Sequence, residues 1–265
     1  MTTIPTVLTI AGSDSSGGAG IQADLATFAA LRLHGASVVT AVTAQDTTGV
    51  AAWEAVSPDL VRKQLECVLG DLEVVAAKTG MLAKTSVVLA VVEELEKHEC
   101  PALVCDPVLA ASSGDSLFDG DGLHALRSRL LPLAKLVTPN ATEAELFTGR
   151  AVRTVAEAEQ AGRALLETGV GGVLVTGGHL EEGRGTDVLV TPHGARELPG
   201  EWIDTPHTHG TGCVLSAAIA GYLGRGLSLL DAVTRAKVFV ANAIRGGRRL
   251  GRGPGAVDPR AGKAR

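Results

Sequence analysis

Short runs of Val, Ile, Leu and Ala, each broken by Gly, Pro, Asp or a polar residue, alternate along this chain with longer helix-forming stretches. The runs cover residues 7–11, 36–44, 74–78, 102–105, 136–138 and 172–176. Most are too short for a buried helix and are rich in β-branched residues, so they read as strands. Between them, residues 20–33, 57–70, 86–98, 123–131, 142–147 and 154–168 read as helices, followed by two more over 214–223 and 229–250. Ser57-Pro58 supplies an N-cap and a first-turn proline, and Thr154 with Glu157 a capping box. Strands alternating with helices predict an α/β fold of three layers, αβα, around a mostly parallel central sheet. Residues 49–56 read as a flap or edge strand, and 187–198 as a hairpin around 192–194; both are candidate covers for a site.

No repeat or linker interrupts the 265 residues, so a single domain spanning 1–265 is expected, with a loose tail from about 254. The formal charge is -5 and aromatic residues make up 3% of the chain. Neither suits a surface that binds nucleic acid or an anionic membrane. Cys67, Cys100, Cys105 and Cys213 form no CxxC pair and no metal spacing, no basic segment precedes an apolar leader, and no run is long enough to span a bilayer. The composition fits a cytoplasmic protein.

The chemistry concentrates in residues 208–223, THGTGCVLSAAIAGYL. Pro206, Gly210 and Gly212 forbid a regular element before Cys213, and the apolar run after it reads as a buried helix. Free amides in that helix's first turn and the positive end of its dipole make a site for an anion. A cysteine held there has its thiolate favoured. A plain turn followed by a small buried thiol is an equal reading of the motif alone.

Other unusual polar residues follow the predicted strands: Gly12 and Asp14, Gln45, Thr79-Gly80, Asp106, Asn140 with Glu143, and Gly177 to His179. In open α/β sheets, ligands sit outside the carboxyl ends of the strands. Each residue also has a structural reading. Asn140 and Glu143 have capping-box spacing, Asp106-Pro107 is turn chemistry, Asp24 can be a solvated helix residue, and His179, His207 and His209 lack zinc spacing. A Walker A pattern is absent. Gly18-Ala-Gly20 with Ala23 matches GxGxxA, but polar residues separate it from the strand, which weakens a dinucleotide reading.

Seven motifs in order carry a resemblance: AGSDSSGGAGIQAD, TAVTAQDTTGV, AAKTGML, DPVLAASSGD, TPNATEAELFTG, VTGGH and THGTGCVLSAAIA. Over about residues 7–254 the chain resembles the hydroxymethylpyrimidine/phosphomethylpyrimidine kinases of thiamine biosynthesis, which are ribokinase-like. The resemblance implies phosphorylation of a hydroxymethylpyrimidine by ATP with Mg²⁺, first to the monophosphate and then to the diphosphate. It also implies a homodimer, for which an apolar flap bearing Trp53 offers a surface.

In residue terms it implies that Gly12, Asp24 and Gln45 hold the aminopyrimidine, with Met81 against the ring. Asp106 and Glu143 would act through Mg²⁺, and Asn140, Thr176 and Gly178 would lie along ATP. Gly210, Thr211, Gly212 and Cys213 would serve the transferred phosphoryl group, with Cys213 taking the alcohol proton or only orienting the alcohol. The chain departs from the family pattern at Thr176 and Ser112, where Lys is usual, and at Val214 and Asp46, where Thr and Asn are frequent. Arg184 is a candidate replacement cation. Other readings are a pyridoxal kinase of the same fold, an NAD-dependent oxidoreductase using Asp46, and a non-catalytic pyrimidine-binding protein.

Overall fold

The computed structural model describes residues 5–98, 102–109 and 121–262. Among them, nine strands form one sheet: β1 (Thr6–Ser13), β2 (His34–Asp46), β3 (Gly49–Ala55), β4 (Val74–Thr79), β5 (Leu103–Cys105), β6 (Leu136–Val137), β7 (Val173–Val175), β8 (Asp187–Thr191) and β9 (Gly194–Leu198). Their order is β3-β2-β1-β4-β5-β6-β7-β8-β9. The six strands from β2 to β7 run parallel, while β3 at one edge and β8 and β9 at the other are antiparallel. The expected flap is thus an edge strand on β2, and the expected hairpin is β8-β9.

The helices are α1 (Gly20–Ala30), α2 (Pro58–Asp71), α3 (Thr85–Lys97), α4 (Gly122–Ala125), α5 (Ala141–Thr148), α6 (Val155–Leu166), α7 (Thr211–Gly224) and α8 (Leu229–Arg245). Leu8, Ile10 and Val175 face a core shared with α2, α3, α5 and α6. Val7, Val104 and Leu174 face the other, shared with α1, α7 and α8. Both faces of the sheet are covered, which explains why its central strands read as continuous apolar runs.

Three expectations need correction. The helix expected over 123–131 is one α-turn, α4, followed by a π-turn (Leu126–Leu130) and a 3₁₀ turn (Leu131–Leu133), because Pro132 cannot continue an α-helical ladder. The last helix stops at Arg245, before Gly246-Gly247.

The tail is not loose over its described part. Val257 is buried and its N–H donates to the His209 carbonyl at 3.1 Å, while the Asp258 N–H donates to the Ala243 carbonyl at 3.0 Å. A 3₁₀ turn, Pro259–Gly262, then packs on α8. Gly and Pro here shape a docked strap, whose purchase comes from partners far away in sequence.

Candidate active site

Strand order reverses at β1, whose neighbours lead to β2 on one side and β4 on the other, and this opens a crevice at the strands' carboxyl ends. Gly12 and Met81 meet there. A Cβ at position 12 would stand 3.2 Å from Met81 Sδ and 3.6 Å from Ala41 Cβ. Met81, Ala41 and Ala83 form a small apolar cluster with Val108 packed against it, a floor suited to a flat ring. Gln45 hangs over the same end of β2. Its amide has only long contacts, 3.5 Å to His209 Nε2 and 3.5 Å from the Thr43 hydroxyl, so it can turn to a ligand.

Asp24 does not belong to this wall. It is fully buried, accepts the Thr9 hydroxyl at 2.6 Å and takes Lys78 Nζ at 3.0 and 2.9 Å on its two oxygens. Its expected contact with the pyrimidine is therefore corrected: the carboxylate serves a cation inside the protein.

Lys78, unremarked within the AAKTGML run, also lies 3.9 Å from Asp106 Oδ2. Burial disfavours its ammonium, but Asp24, Cys213 and Asp106 outweigh burial and raise its pKa. A lone Lys at the end of a buried strand was the available signal.

The phosphoryl side is built from α7. Gly210 is its N-cap at φ +83, and a Cβ there would collide with the Gly18 carbonyl, so only glycine lets the two loops close up. The helix begins at Thr211, three residues earlier than expected, and places Cys213 inside its first turn. Thr211 folds back, donating its N–H (3.2 Å) and hydroxyl (2.6 Å) to the Thr208 carbonyl. The cradle of four amides therefore narrows: Thr211 is engaged, while Gly212 and Cys213 hold first-turn amides that the helix itself cannot satisfy.

Asp106 borders that turn. Its Oδ2 accepts the Ser216 hydroxyl of α7 at 2.9 Å. Burial pushes its pKa up, against the pull of Lys78 and Ser216. Glu143 forms the capping box of α5 with Asn140, accepting the Asn140 N–H at 2.9 Å while the Asn140 side chain accepts the Glu143 N–H at 3.0 Å. Burial first and Asp106 second push Glu143 up to about 8. A carboxyl whose charge is disfavoured by burial and by the carboxyl beside it is a donor suited to a hard divalent cation with its waters.

Cys213 departs from expectation. Its sulfur accepts the Gly20 N–H, but burial pushes the thiol up to about 12, and Asp24 and Asp106 add to this against the pull of Lys78. The helix dipole does not leave a standing thiolate here. Thr176 pairs by a bridge with Asn140 beyond β7, and Gly178 beside it is exposed with open space around it. Arg184, the candidate replacement cation, lies over the Trp202 ring at 4.7 Å. Asp46 closes its own turn, accepting the Thr48 N–H at 2.7 Å. Ser112 lies outside the described residues.

His209, which lacks zinc spacing with the other histidines, has a structural partner instead. It bonds Asp14 at 2.9 Å and packs over Gly18, where a Cβ would meet its ring at 2.5 Å. Among the described residues no cluster of three or more His, Cys, Asp or Glu side chains could hold a metal directly, and no helix is long and apolar enough to cross a membrane.

A crevice at the switch point, open amides at a helix start and flanking carboxylates define an α/β phosphotransferase of ribokinase-like architecture. The phosphomethylpyrimidine kinase family matches residues 14–258, and the chain belongs to that family. It is 48% identical over 252 residues to a hydroxymethylpyrimidine/phosphomethylpyrimidine kinase of Rhizobium meliloti (strain 1021), covering 93% of this chain and 94% of that one. The enzyme of the same name from Escherichia coli (strain K12) is 45% identical, with 89% and 90% covered. Among solved structures, an ADP complex of Bacillus subtilis pyridoxal kinase superposes with a TM-score of 0.92 at 34% identity, covering 98% of each chain. Phosphomethylpyrimidine kinase from Clostridium difficile 630 gives 0.81 at 41% identity, covering 91% of this chain and 99% of that one.

Proposed function

We propose that the protein transfers the γ-phosphoryl group of ATP to 4-amino-5-hydroxymethyl-2-methylpyrimidine and then to its monophosphate. The observation that carries this reading is the placement of the open α7 start beside Asp106, on the rim that also bears the Gly12–Met81 floor. The names of the relatives support the substrate.

In this reading, Gln45 pairs with the ring through its two-sided amide, and Met81 packs on the ring face. The Gly212 and Cys213 amides meet charge growing on the phosphoryl oxygens, a form of stabilisation commonly worth about 10²–10³ in rate per donor. Cys213 orients the alcohol through its thiol, and it can take the alcohol's proton only after giving up its own, because burial disfavours the thiolate. Asp106 and Glu143 would hold Mg²⁺ through waters, and Asn140, Thr176 and Gly178 would line the nucleotide. Mg²⁺ would supply neutralisation of phosphate charge.

The test is ADP release from ATP with each pyrimidine in turn. Turnover of both establishes the two-step reading, turnover of the first alone reduces it to one step, and turnover of neither ends it. Pyridoxal is the second reading, favoured by the superposition on the Bacillus subtilis enzyme. Relative kcat/KM on pyridoxal and hydroxymethylpyrimidine decides between them. A homodimer joined through the exposed Val42 and Trp53 of β2 and β3 belongs to the same reading, and light scattering of the purified protein checks it.

A further inference from the structure

Lys78 is the one Lys or Arg among the described residues that is buried, and its side chain is 0% exposed. It stands beside Thr9 of β1 and Val104 of β5, on the face of the sheet covered by α1 and α7. The neighbouring side chains on this face, Val7, Ala76, Val104 and Leu136, are apolar. Through this layer runs one continuous polar chain. Thr9 donates to Asp24, Lys78 holds Asp24 and reaches toward Asp106, and Ser216 donates to Asp106. The Ser216 hydroxyl also lies 3.0 Å from the Gly212 carbonyl.

A buried ion pair is weak as a source of stability, because desolvation offsets most of its attraction and apolar residues of similar size serve as well. A fold needing only packing here would be equally well served by Met and Leu. The location indicates a different need. Asp106 and Asp24 both carry acid groups into one small volume, and without a cation between them their repulsion would turn Asp106 away from the first turn of α7.

We infer that Lys78 is a positioning residue for phosphoryl transfer: it pins Asp106 beside Gly212 and Cys213 from behind, without touching either substrate. This rests on the kinase reading above. Lys78 is sealed beneath the crevice, so its loss acts on the arrangement of the reacting groups and leaves the ring floor of Gly12 and Met81 as it was. Residues that orient first-contact groups in this way commonly account for about 10–100-fold in activity.

The test replaces the pair by neutral groups, Lys78→Met with Asp24→Asn, in the full chain. Asn still accepts the Thr9 hydroxyl and puts no charge beside Asp106, which loses its cation and keeps only the Ser216 hydroxyl. The expected result is a Tm near that of the wild type, unchanged KM and calorimetric affinity for the pyrimidine, and kcat lower by about 10–100-fold. Wild-type kcat in the folded double variant would overturn the inference and leave a structural ion pair. If that variant does not fold, Lys78→Gln is read in its place: it is neutral, still donates to Asp24, and carries the same expectation of a fall in kcat at constant KM. A fall in affinity with kcat intact would also overturn it. Wild-type protein assayed in parallel separates the two claims, since its failure to phosphorylate either pyrimidine removes the kinase reading and this inference together.

Discussion

His209 and Asp14 are 195 residues apart in sequence and meet at 2.9 Å, Nε2 to Oδ2, joining the β1–α1 loop to the loop that leads into α7. Burial works against the Asp14 carboxylate, but hydrogen bonds from His209 and Ser16 outweigh it and hold the carboxyl below the usual aspartate range. One contact thus ties the pyrimidine side of the crevice to the phosphoryl side, with Gln45 alongside at 3.5 Å.

Replacing His209→Ala should raise KM for the pyrimidine and cost about 1–3 kcal/mol of stability. The sign of the pH effect follows from the lowered Asp14 pKa: its contribution is full above the unfolded aspartate value and vanishes as the pH falls through the lower folded value. Denaturant titrations of wild type and variant should therefore differ at neutral pH and converge on strong acidification. A constant difference at all pH values would remove Asp14 from this account.

Glu143 gives the opposite dependence. Its folded pKa is raised to about 8 from an ordinary value of 4.5, so the folded state holds the proton more tightly. The stability it contributes is complete below 4.5 and is lost as the pH rises through about 8. Metal-free protein should lose on the order of 2–4 kcal/mol across that window relative to Glu143→Gln, whose curve should be flatter. Mg²⁺ with ADP should restore stability at the alkaline end in the wild type, because a cation favours the carboxylate. Parallel melting curves for the two proteins at every pH would sink this prediction.

The thiols offer a separate check. Cys67 is exposed, whereas burial pushes Cys213 up to about 12. Limited treatment of the ligand-free protein with iodoacetamide near neutral pH should modify Cys67 well before Cys213, as read by peptide mass spectrometry. Preferential labelling of Cys213 would show a thiolate already present and restore the stronger base role.

Much of this arrangement was legible in the sequence. Strand ends could be placed to within a residue or two because Gly12, Gly80, Asp106 and Gly177 each interrupt or follow a β-rich run, and the alternation with helices then put them on one rim. The partners of buried charge were not legible. Lys78 acquires its meaning from Asp24, 54 positions earlier, and nothing local tells a buried Asp on α1 from a solvated one. The dipole at Cys213 was readable from Gly-Thr-Gly-Cys, but the burial and the two carboxylates that override it belong to other elements.

Gly210→Ala should be the most damaging small change at the site. Its φ of +83 is strained for any residue with a Cβ, and that Cβ would press on the Gly18 carbonyl. The first turn of α7 must then shift away from Asp106. The expected outcome is a fall in kcat of at least about 10²-fold, the scale of losing one oxyanion donor. An intact kcat would mean that the α7 amides do not serve the phosphoryl group.

The C-terminal strap makes the last prediction. Gly255 N–H donates to His207 Nδ1 at 3.1 Å, Val257 N–H to the His209 carbonyl at 3.1 Å, and Gly253 N–H to the Thr47 hydroxyl at 3.0 Å. The strap therefore grips the loop that leads into α7 and the β2–β3 turn. Deleting residues 254–265 removes the first two of these bonds and exposes the underside of the His209 loop. Burial of Val257 and the lost backbone bonds together represent roughly 3–5 kcal/mol, which for a domain of this size lowers Tm by about 5–15 °C. KM for the pyrimidine should rise in the same variant, because His209 loses the support that holds it against Asp14. Adding the deleted segment back as a synthetic peptide should recover part of the Tm. A deletion that changes neither Tm nor KM would return this segment to the status of an unattached tail.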